Sequence, residues 1–346
     1  MISAESVRAT GLAAGLDAVG VATAEPFDDA RVVIEQRRAD GLHGGMQFTY
    51  RNPARSCDPS RIVAGARSLV VGARRYRRAD PPRPTSPAGA VARYARRDDY
   101  KDLRSSLTVV ASALRADGWQ ARVVADDNAL VDRAAAHRAG IGWFGKSANV
   151  LVPGAGSWFV LGTVVTDAPL VDHDPSPIAD GCGACTKCLD ACPTGAIVAP
   201  GVVDARRCLA WLVQAPGPIP VEHRVALGGR LYGCDDCQEV CPPNRTADRR
   251  GIDDVMSDEE AWVPLLELLA ASDAELLARH GRWYVPRRDP RHLRRNALVA
   301  LANVGDPADP TVRRIVDRYR GLDDPLLAEH ADWADSRLAT RAAAST

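Results

Sequence analysis

The order of apolar and polar positions predicts alternating helices and strands over residues 1–170. Apolar residues recur at three- and four-residue intervals, as in amphipathic helices, over 3–16, 29–41, 98–119 and 129–140. Short runs rich in valine predict strands at 18–23, 68–76, 121–125 and 157–166. A proline-rich stretch over 80–89 predicts a loop. The pattern therefore indicates a mixed α/β region.

The C-terminal part has a different pattern, in which helical periodicity dominates after a linker predicted at 246–258. Three amphipathic segments, at 289–306, 309–322 and 324–341, each begin with Asp-Pro. Proline suits the first turn of a helix because it has no N–H to leave unbonded, and the aspartate side chain can cap that turn. The repetition predicts one or two helical hairpins of the HEAT kind.

Composition narrows the class of protein. The 346 residues predict two or three domains, and 46% hydrophobic with 25% charged residues is typical of a globular chain. Basic and acidic residues number 44 each, so the overall charge indicates neither a nucleic-acid nor a membrane partner. No apolar run is long enough to cross a bilayer, and charges interrupt the segment where a signal peptide would be apolar. We therefore expect a cytoplasmic protein with no membrane partner.

Cysteine spacing carries the strongest chemical signal in the chain. Eight of the nine cysteines lie between Cys182 and Cys241, and such clustering favours metal or redox chemistry over a disulfide framework. The first four have the spacing of bacterial two-cluster ferredoxins: Cys182, Cys185, Cys188 and Cys192, followed by Pro193. In that motif the fourth cysteine binds the other cluster.

This rule assigns the cysteines to two [4Fe–4S] clusters. The first cluster is predicted to bind Cys182, Cys185, Cys188 and Cys241. The second is predicted to bind Cys192, Cys208, Cys234 and Cys237. Two all-thiolate zinc sites are the alternative, although zinc usually binds paired Cys-x2-Cys knuckles across a spacer. The ninth cysteine, Cys57, is predicted to be an ordinary thiol.

Two clusters close together conduct electrons, so the α/β region is expected to hold their acceptor. Flavin, cobalamin and a bound substrate are the candidates. No G-x-G-x-x-G sequence follows a predicted strand, so no dinucleotide fingerprint is present.

Several further stretches resemble the epoxyqueuosine reductases. They are ARYARRDDY at 92–100, ADDNALVDRAAAHRAG at 125–140, AGIGWFGK at 139–146, GSWFVLG at 156–162, CGACTKCLDACPTGAI at 182–197, DARRCLAWL at 204–212 and YGCDDCQEVCPPN at 232–244. The resemblance extends from about residue 5 to the C-terminal repeat. It implies reduction of epoxyqueuosine to queuosine at the wobble position of tRNA, by cobalamin fed from two [4Fe–4S] clusters and an external electron donor.

The resemblance also implies an acid that protonates the departing epoxide oxygen, and Asp126 stands at the matching position. Asp127 is an adjacent carboxylate that could be confused with it, and either residue could instead cap the following helix. Ala129 stands where the family usually has proline, and Lys101 where it usually has histidine.

Residues in stretches that line the family's cobalamin pocket are implied as cofactor contacts. They are Arg55, Tyr94, Arg133, Ser157, Trp158, Asp235 and Asp236. The implied fold is α+β, with an α/β cobalamin-binding domain over 1–170, a ferredoxin-like double-cluster domain over 171–250 and a helical HEAT-like region over 251–346. We expect a monomer.

Two basic runs, 73–78 and 287–295, are candidate contacts for the tRNA backbone. Such runs are often solvated surface without a partner. Two other functions stay open at this point: a cobalamin and iron–sulfur reductase of the dehalogenase type, and a ferredoxin-type electron carrier without catalysis. The dehalogenase type usually carries a twin-arginine export signal, which this sequence lacks.

Overall fold

The computed structural model describes residues 2–77, 80–249 and 260–344. Its N-terminal helices are α1 (Ala4–Ala13), α2 (Asp28–Ala39), α3 (Pro53–Ser56), α4 (Asp99–Ala116) and α5 (Asp132–Arg138). The strands of this part are β1 (Ala18–Thr23), β2 (Ser68–Arg75), β3 (Ala88–Val91), β4 (Ala121–Ala125), β5 (Trp143–Phe144), β6 (Val150–Leu151) and β7 (Phe159–Thr166). The helices and strands predicted here are confirmed, with ends that differ by a few residues.

A four-stranded antiparallel sheet, in the order β1-β2-β7-β4, forms the centre of this region. Successive side chains of β2 point to opposite faces: Val70 packs with α1 and α4, while Leu69 and Val71 pack with α5. Helices thus bury both faces, which is why β2 and β7 have continuous apolar sequences. Asp126 follows the last residue of β4, so the sheet fixes its position.

The cysteine-rich region contains short elements joined by turns. Its helices are α6 (Lys187–Asp190), α7 (Leu209–Leu212), α8 (Val221–Leu227), α9 (Asp236–Glu239) and α10 (Pro242–Arg249). Its strands are β8 (Ile197–Ala199), β9 (Val202–Val203) and β10 (Arg230–Tyr232). The linker predicted at 246–258 is wrong for 246–249, which continue α10, and 250–258 lie outside the described residues.

The C-terminal part is helical, as predicted. It contains β11 (Trp262–Pro264), α11 (Leu265–Ala270), α12 (Asp273–His280), α13 (Arg291–Val304), α14 (Pro310–Arg320) and α15 (Pro325–Ala343). The side chain of Asp309 accepts a hydrogen bond from the backbone N–H of Thr311, and Asp324 accepts one from Leu327, so both aspartates cap their helices. Whether these helices form a HEAT-like repeat stays a prediction.

A second sheet, in the order β10-β3-β11, takes one strand from each of the three predicted domains. Its apolar side chains, such as Val91, Leu231 and Val263, share a core with Leu298 and Leu301 of α13. The three segments are therefore held together by strand pairing and by a common core. The domain boundaries at 170 and 250 stay a prediction. The strands of this sheet lie on both sides of each boundary.

Candidate functional site

The eight clustered cysteines are free thiols that the fold brings together in two groups. In the outer set, the pKa of the Cys241 thiol is raised to about 11, first by burial and then by the charges of Cys182, Cys188 and Cys185. The pKa of Cys188 is raised by burial and by Cys182 and Cys185. The outer set is thus Cys182, Cys185, Cys188 and Cys241.

The inner set is Cys192, Cys208, Cys234 and Cys237. Burial raises the pKa of Cys237 well above that of a free thiol, and the charges of Cys234, Cys208 and Cys192 raise it further. Burial also raises the pKa of Cys234 to about 12, with Cys208 as a smaller cause. These groups match the partition predicted from the motif, and the role of each thiol as a cluster ligand stays a prediction.

The two sets differ in depth. Residues beside the outer cysteines, such as Gly181, Gly183 and Ala184, are exposed, whereas Gly233, Asp235 and Gln238 beside the inner cysteines are buried. The raised pKa values keep the thiols of Cys188, Cys208, Cys234, Cys237 and Cys241 protonated without metal, so cluster binding must displace protons there. The described residues contain no group of three or more His, Cys, Asp or Glu side chains arranged to hold a single metal ion, and the eight free thiols are the donors that two [4Fe–4S] clusters require.

Asp126 has an unusual backbone conformation and a carboxyl without a protein partner. Its φ of 53° is in the left-handed region, and its side chain makes no hydrogen bond to a described residue. The residue is exposed at the surface, yet desolvation by the surrounding protein raises the pKa of its carboxyl. The charge of Arg104 opposes this shift, and the charges of Asp127 and Asp98 add to it. Asp127, in contrast, accepts a hydrogen bond from the Ala129 N–H at 3.0 Å.

Neither aspartate caps α5 in the described structure. The N-cap of this helix is Val131, without a side-chain hydrogen bond, and Asp127 closes a local turn instead. The alternative of helix caps is therefore wrong for both residues. This leaves the carboxyl of Asp126 available for chemistry, although its catalytic role stays a prediction.

Several titratable side chains surround Asp126. Its charge raises the pKa of Tyr100 and Tyr232, for both of which burial is the larger cause. Burial raises the pKa of Asp132 well above its usual range, with Asp126 as the next cause and Arg133 opposing. Sequence reasoning missed Tyr100, Asp132 and Tyr232, although all three lie in or beside the stretches that carry the resemblance.

Arg133 connects the acid to the inner cysteines. Its positive charge lowers the pKa of Asp132 and that of Cys208, against the larger opposite effect of burial at each. Arg133 therefore lies near both a carboxyl group of the Asp126 surroundings and a thiol of the inner set. The predicted site residues Asp126, Arg133 and Cys208 are thus brought into one neighbourhood.

Trp158 and Asp235 are held together through Arg93. The Arg93 guanidinium lies 4.5 Å from the centre of the Trp158 ring, and its backbone N–H donates to Asp235 Oδ2 at 2.7 Å. Burial is the main reason that the pKa of Asp235 is raised, to about 6. Ser157 Oγ accepts a hydrogen bond from Asn244 Nδ2 at 3.0 Å, so it is part of the same buried layer.

The remaining predicted cofactor contacts are more dispersed. Asp236 forms an ion pair with Arg230, in which the distance from Asp236 Oδ2 to Arg230 Nη2 is 2.5 Å. The Tyr94 hydroxyl accepts a hydrogen bond from Gln214 Nε2 at 3.1 Å, and the charge of Tyr232 helps raise its pKa. Arg55 lies in a separate cavity that contacts the Asp126 loop through Asn128.

Buried polar atoms without a partner among the described residues occur in this neighbourhood. They are Asp132 Oδ1, Trp158 Nε1 and Asp235 Oδ1. Buried polar groups are normally hydrogen-bonded, so a ligand with both donors and acceptors is expected here. The amide side chains of a corrin ring meet that requirement, and the residues present therefore fit cobalamin.

The predicted RNA contacts of the basic run at 287–295 are wrong for Arg294 and Arg295, which are buried, and stay a prediction for the exposed Arg287, Arg288 and Arg291. Arg295 donates to the carbonyl oxygens of Leu212, at the end of α7, and of Ala215. Arg294 is paired with Asp273. Of the first run, Arg74 pairs with Asp102 and Arg77 with Asp248, while Arg78 lies outside the described residues. No helix in the described part of the chain is long and apolar enough to span a membrane.

Comparisons with known families match two parts of the chain. Residues 56–127 match the family model described as "Epoxyqueuosine reductase QueG, DUF1730". Residues 181–244 match the "4Fe-4S double cluster binding domain", which supports iron–sulfur clusters over the zinc alternative.

Similarity to individual proteins extends over nearly the whole chain. The epoxyqueuosine reductase of Bacillus subtilis is 34% identical over 332 residues, which are 94% of this chain and 84% of the relative. The enzyme of that name from Xanthomonas campestris is 34% identical over 343 residues, which are 96% of this chain and 95% of the relative.

Solved structures agree with the sequence relatives. A crystal structure of epoxyqueuosine reductase with an epoxyqueuosine-modified tRNA stem loop has a TM-score of 0.87 and 32% identity, covering 96% of this chain and 89% of that one. A Bacillus subtilis structure, described with its aspartate-bearing catalytic loop swung out of the active site, has a TM-score of 0.86 and 32% identity, covering 96% and 90%.

Proposed function

The chain belongs to the epoxyqueuosine reductase family, and from that premise we propose that it reduces epoxyqueuosine in tRNA to queuosine with cobalamin and two [4Fe–4S] clusters. The substrate is supported by the related structure that holds an epoxyqueuosine-modified tRNA stem loop. The family membership favours this function over a dehalogenase or a simple electron carrier. As a tRNA-modifying enzyme it is proposed to work in the cytoplasm, as a monomer served by a separate electron donor.

The reaction removes one oxygen atom from the substrate. Both C–O bonds of the epoxide break, a carbon–carbon double bond forms, and two electrons with two protons convert the oxygen into water. The protein must therefore conduct electrons to a site that excludes bulk water, and it must provide at least one proton at that site.

Electrons are proposed to pass from the outer set of cysteines to the inner set. The exposed residues beside Cys182 and Cys185 make the outer cluster the accessible one for a donor protein. The inner set lies near Arg133, and through it near the Asp126 surroundings. Cobalamin bound there would supply the redox chemistry that reduction of the epoxide requires. Arg133, Tyr94, Ser157, Trp158, Asp235, Asp236 and Arg55 are the residues proposed to hold it.

Asp126 is proposed to give its proton to the departing epoxide oxygen. The observation that carries this proposal is a carboxyl that has a raised pKa and no hydrogen-bond partner among the residues that the structure describes, and that lies in the neighbourhood of the inner cysteines. A raised pKa keeps more of the carboxyl protonated near neutral pH, which is what a general acid needs. The related structure with its aspartate-bearing catalytic loop swung out of the active site supports an aspartate on a loop as the acid.

The function is tested with anaerobically reconstituted protein, a reductant, cobalamin and an epoxyqueuosine-containing tRNA stem loop. Mass spectrometry of the digested RNA should show the loss of one oxygen atom, and omission of either cobalamin or iron should stop conversion. A protein that carries both clusters and cobalamin yet leaves the epoxide intact would contradict the proposed function.

A further inference from the structure

A polar cavity of about 360 Å³ lies beside the loop that carries Asp126. It is lined by Thr49, Arg51, Asn52, Arg55, Ser56 and Asn128. No carboxylate is among the lining residues, although Asp126 and Asp127 directly precede Asn128 in the chain. The side chains facing this cavity are therefore neutral or positive.

The hydrogen-bonding groups left free in this cavity are donors. Asn52 Oδ1 accepts from the Arg55 N–H at 3.2 Å, and Asn128 Oδ1 accepts from the Thr49 N–H at 2.6 Å. With both amide oxygens engaged, both amide nitrogens stay available, and neither donates to a described residue. The Ser56 hydroxyl is also engaged, since it donates to the carbonyl of Asn128 at 2.5 Å.

Two guanidinium groups complete the set of donors. The side chains of Arg51 and Arg55 make no ion pair or hydrogen bond with any residue in the described ranges 2–77, 80–249 and 260–344. Nearby arginines behave differently: Arg61 pairs with Asp58 at 3.3 Å, and Arg31 pairs with Asp28 at 3.0 Å. A cavity with two unpaired cations and two free amide donors is complementary to an oxyanion.

The cavity is joined to the proposed acid by the protein backbone. Thr49 and Ser56 hold Asn128 from two sides, and Asn128 is two residues from Asp126. Thr49 has a φ of 59°, a left-handed conformation that non-glycine residues adopt only at a cost. A ligand in this cavity would therefore lie against the same loop that presents the acid.

We propose that the Arg51–Arg55 cavity binds a phosphodiester group, an inference that rests on the proposed function for the source of that group. Arginine forks bind two phosphate oxygens at once, and the amide donors can bind the same oxygens. Two ligands of the proposed reaction carry a phosphodiester: the tRNA backbone beside the modified base, and the nucleotide tail of cobalamin. Bound phosphate would fix the loop after β4 relative to the ligand.

The test compares the double variant Arg51→Gln/Arg55→Gln with the control Arg31→Gln/Arg61→Gln, which removes two cations that already have carboxylate partners. Cluster absorbance verifies folding of each holoprotein. One arm measures binding of the tRNA stem loop at several salt concentrations. The other arm measures binding of cobalamin and of cobinamide, which lacks the phosphodiester tail.

If the cavity binds an RNA phosphate, the double variant should bind the stem loop about tenfold or more weakly. The slope of its log binding constant against log salt concentration should be lower by about 0.7 per lost phosphate contact. If the cavity binds the phosphate of cobalamin, the double variant should bind cobalamin about tenfold more weakly, and its affinity for cobinamide should be unchanged. The variant Arg51→Lys/Arg55→Lys keeps the charges but loses the forks, and should give an intermediate affinity in the same arm.

The proposal is overturned if the double variant binds stem loop, cobalamin and cobinamide as the control does, while wild-type protein binds them normally. That outcome leaves the proposed function intact. Failure of wild-type protein to bind either the stem loop or cobalamin would instead overturn the proposed function, and the phosphodiester site with it.

Discussion

The outer and inner sets of cysteines have the same chemistry but different surroundings. Exposed glycine and alanine residues flank the outer set, whereas buried residues such as Asp235 and Gln238 flank the inner set. Cys208 of the inner set lies near Arg133, which also lies near Asp132 beside Asp126. This difference in depth is the basis for the proposed direction of electron flow, from the outer cluster to the inner one.

The largest effect is expected for variants that test the division of the cysteines into an outer and an inner set. Cys188 and Cys192 are neighbours in one motif but are assigned to different sets. The double variant Cys188→Ser/Cys192→Ser should damage both clusters, so iron should fall from about eight per chain to near zero and epoxide reduction should stop. Iron analysis after anaerobic reconstitution measures this. Each single variant should retain about four irons. Four irons in the double variant would mean that both cysteines bind the same cluster.

The next effect concerns the acid beside the inner set. Asp126→Asn keeps the size of the side chain but removes its transferable proton, so turnover should fall about 10²-fold or more. Cluster and cobalamin loading should be unchanged. Asp127→Asn is the matched control, and it should lose little because Asp127 only closes the turn to Ala129. Reversed effects would move the acid to Asp127.

The pH dependence should follow the raised pKa of Asp126. The protonated carboxyl is the active form, so turnover should fall as the pH rises through this raised pKa. The same shift makes the charged form unfavourable in the folded protein. The protonated Asp126 carboxyl therefore favours the folded state. This contribution to stability is complete below the pKa that Asp126 has in the unfolded chain, and it is lost as the pH rises through the pKa in the folded protein.

Paired rate and unfolding measurements across pH check this expectation. Asp132 and Asp235 also have raised pKa values, so the informative quantity is the difference between wild-type protein and Asp126→Asn. If both proteins had the same pH profile, Asp126 would not be the titrating acid.

The smallest effect lies outside the redox regions, in the C-terminal helices. Asp309→Ala removes the hydrogen bond to the Thr311 N–H, at 2.7 Å, and should lower the free energy of unfolding by about 1 kcal/mol without changing turnover. Thermal unfolding measures the loss. Asp309→Asn should retain most of the stability because asparagine also caps helices. A loss of turnover at unchanged stability would give α14 a direct role in the reaction.

Local patterns explain most of what the sequence predicted. The strands and helices of the α/β region depend on short-range periodicity and are present, and two of the three predicted Asp-Pro helix starts are capped by their aspartates. At the third, the N-cap of α13 is Pro290, without a side-chain hydrogen bond, and not Asp289. The cysteine partition follows from the crossing of the fourth cysteine, which is a property of the motif, and it stays a prediction. The family resemblance, now confirmed by the comparisons, identified Asp126 as the candidate acid.

The remainder depends on contacts between distant parts of the chain. The expectation for the basic run at 287–295 was wrong at Arg295, because charge in a sequence does not reveal that this side chain is buried among carbonyl oxygens. Tyr232 approaches Asp126 only because β10 pairs with β3 in the second sheet. Asp132 was overlooked because an aspartate at a helix start is usually solvated, whereas here one of its oxygens is buried with no hydrogen-bond partner in the described part of the chain.

A single-turnover experiment tests the central claim most directly: that electrons held on the clusters reach the epoxide only when Asp126 can provide a proton. Protein carrying both clusters and cobalamin is reduced, freed of reductant and mixed with the modified stem loop. Wild-type protein should reoxidise as queuosine forms, while Asp126→Asn should bind the RNA but stay reduced for about 10²-fold longer or more. Equal rates for the two proteins, or clusters that stay reduced in wild-type protein with bound substrate, would contradict the account.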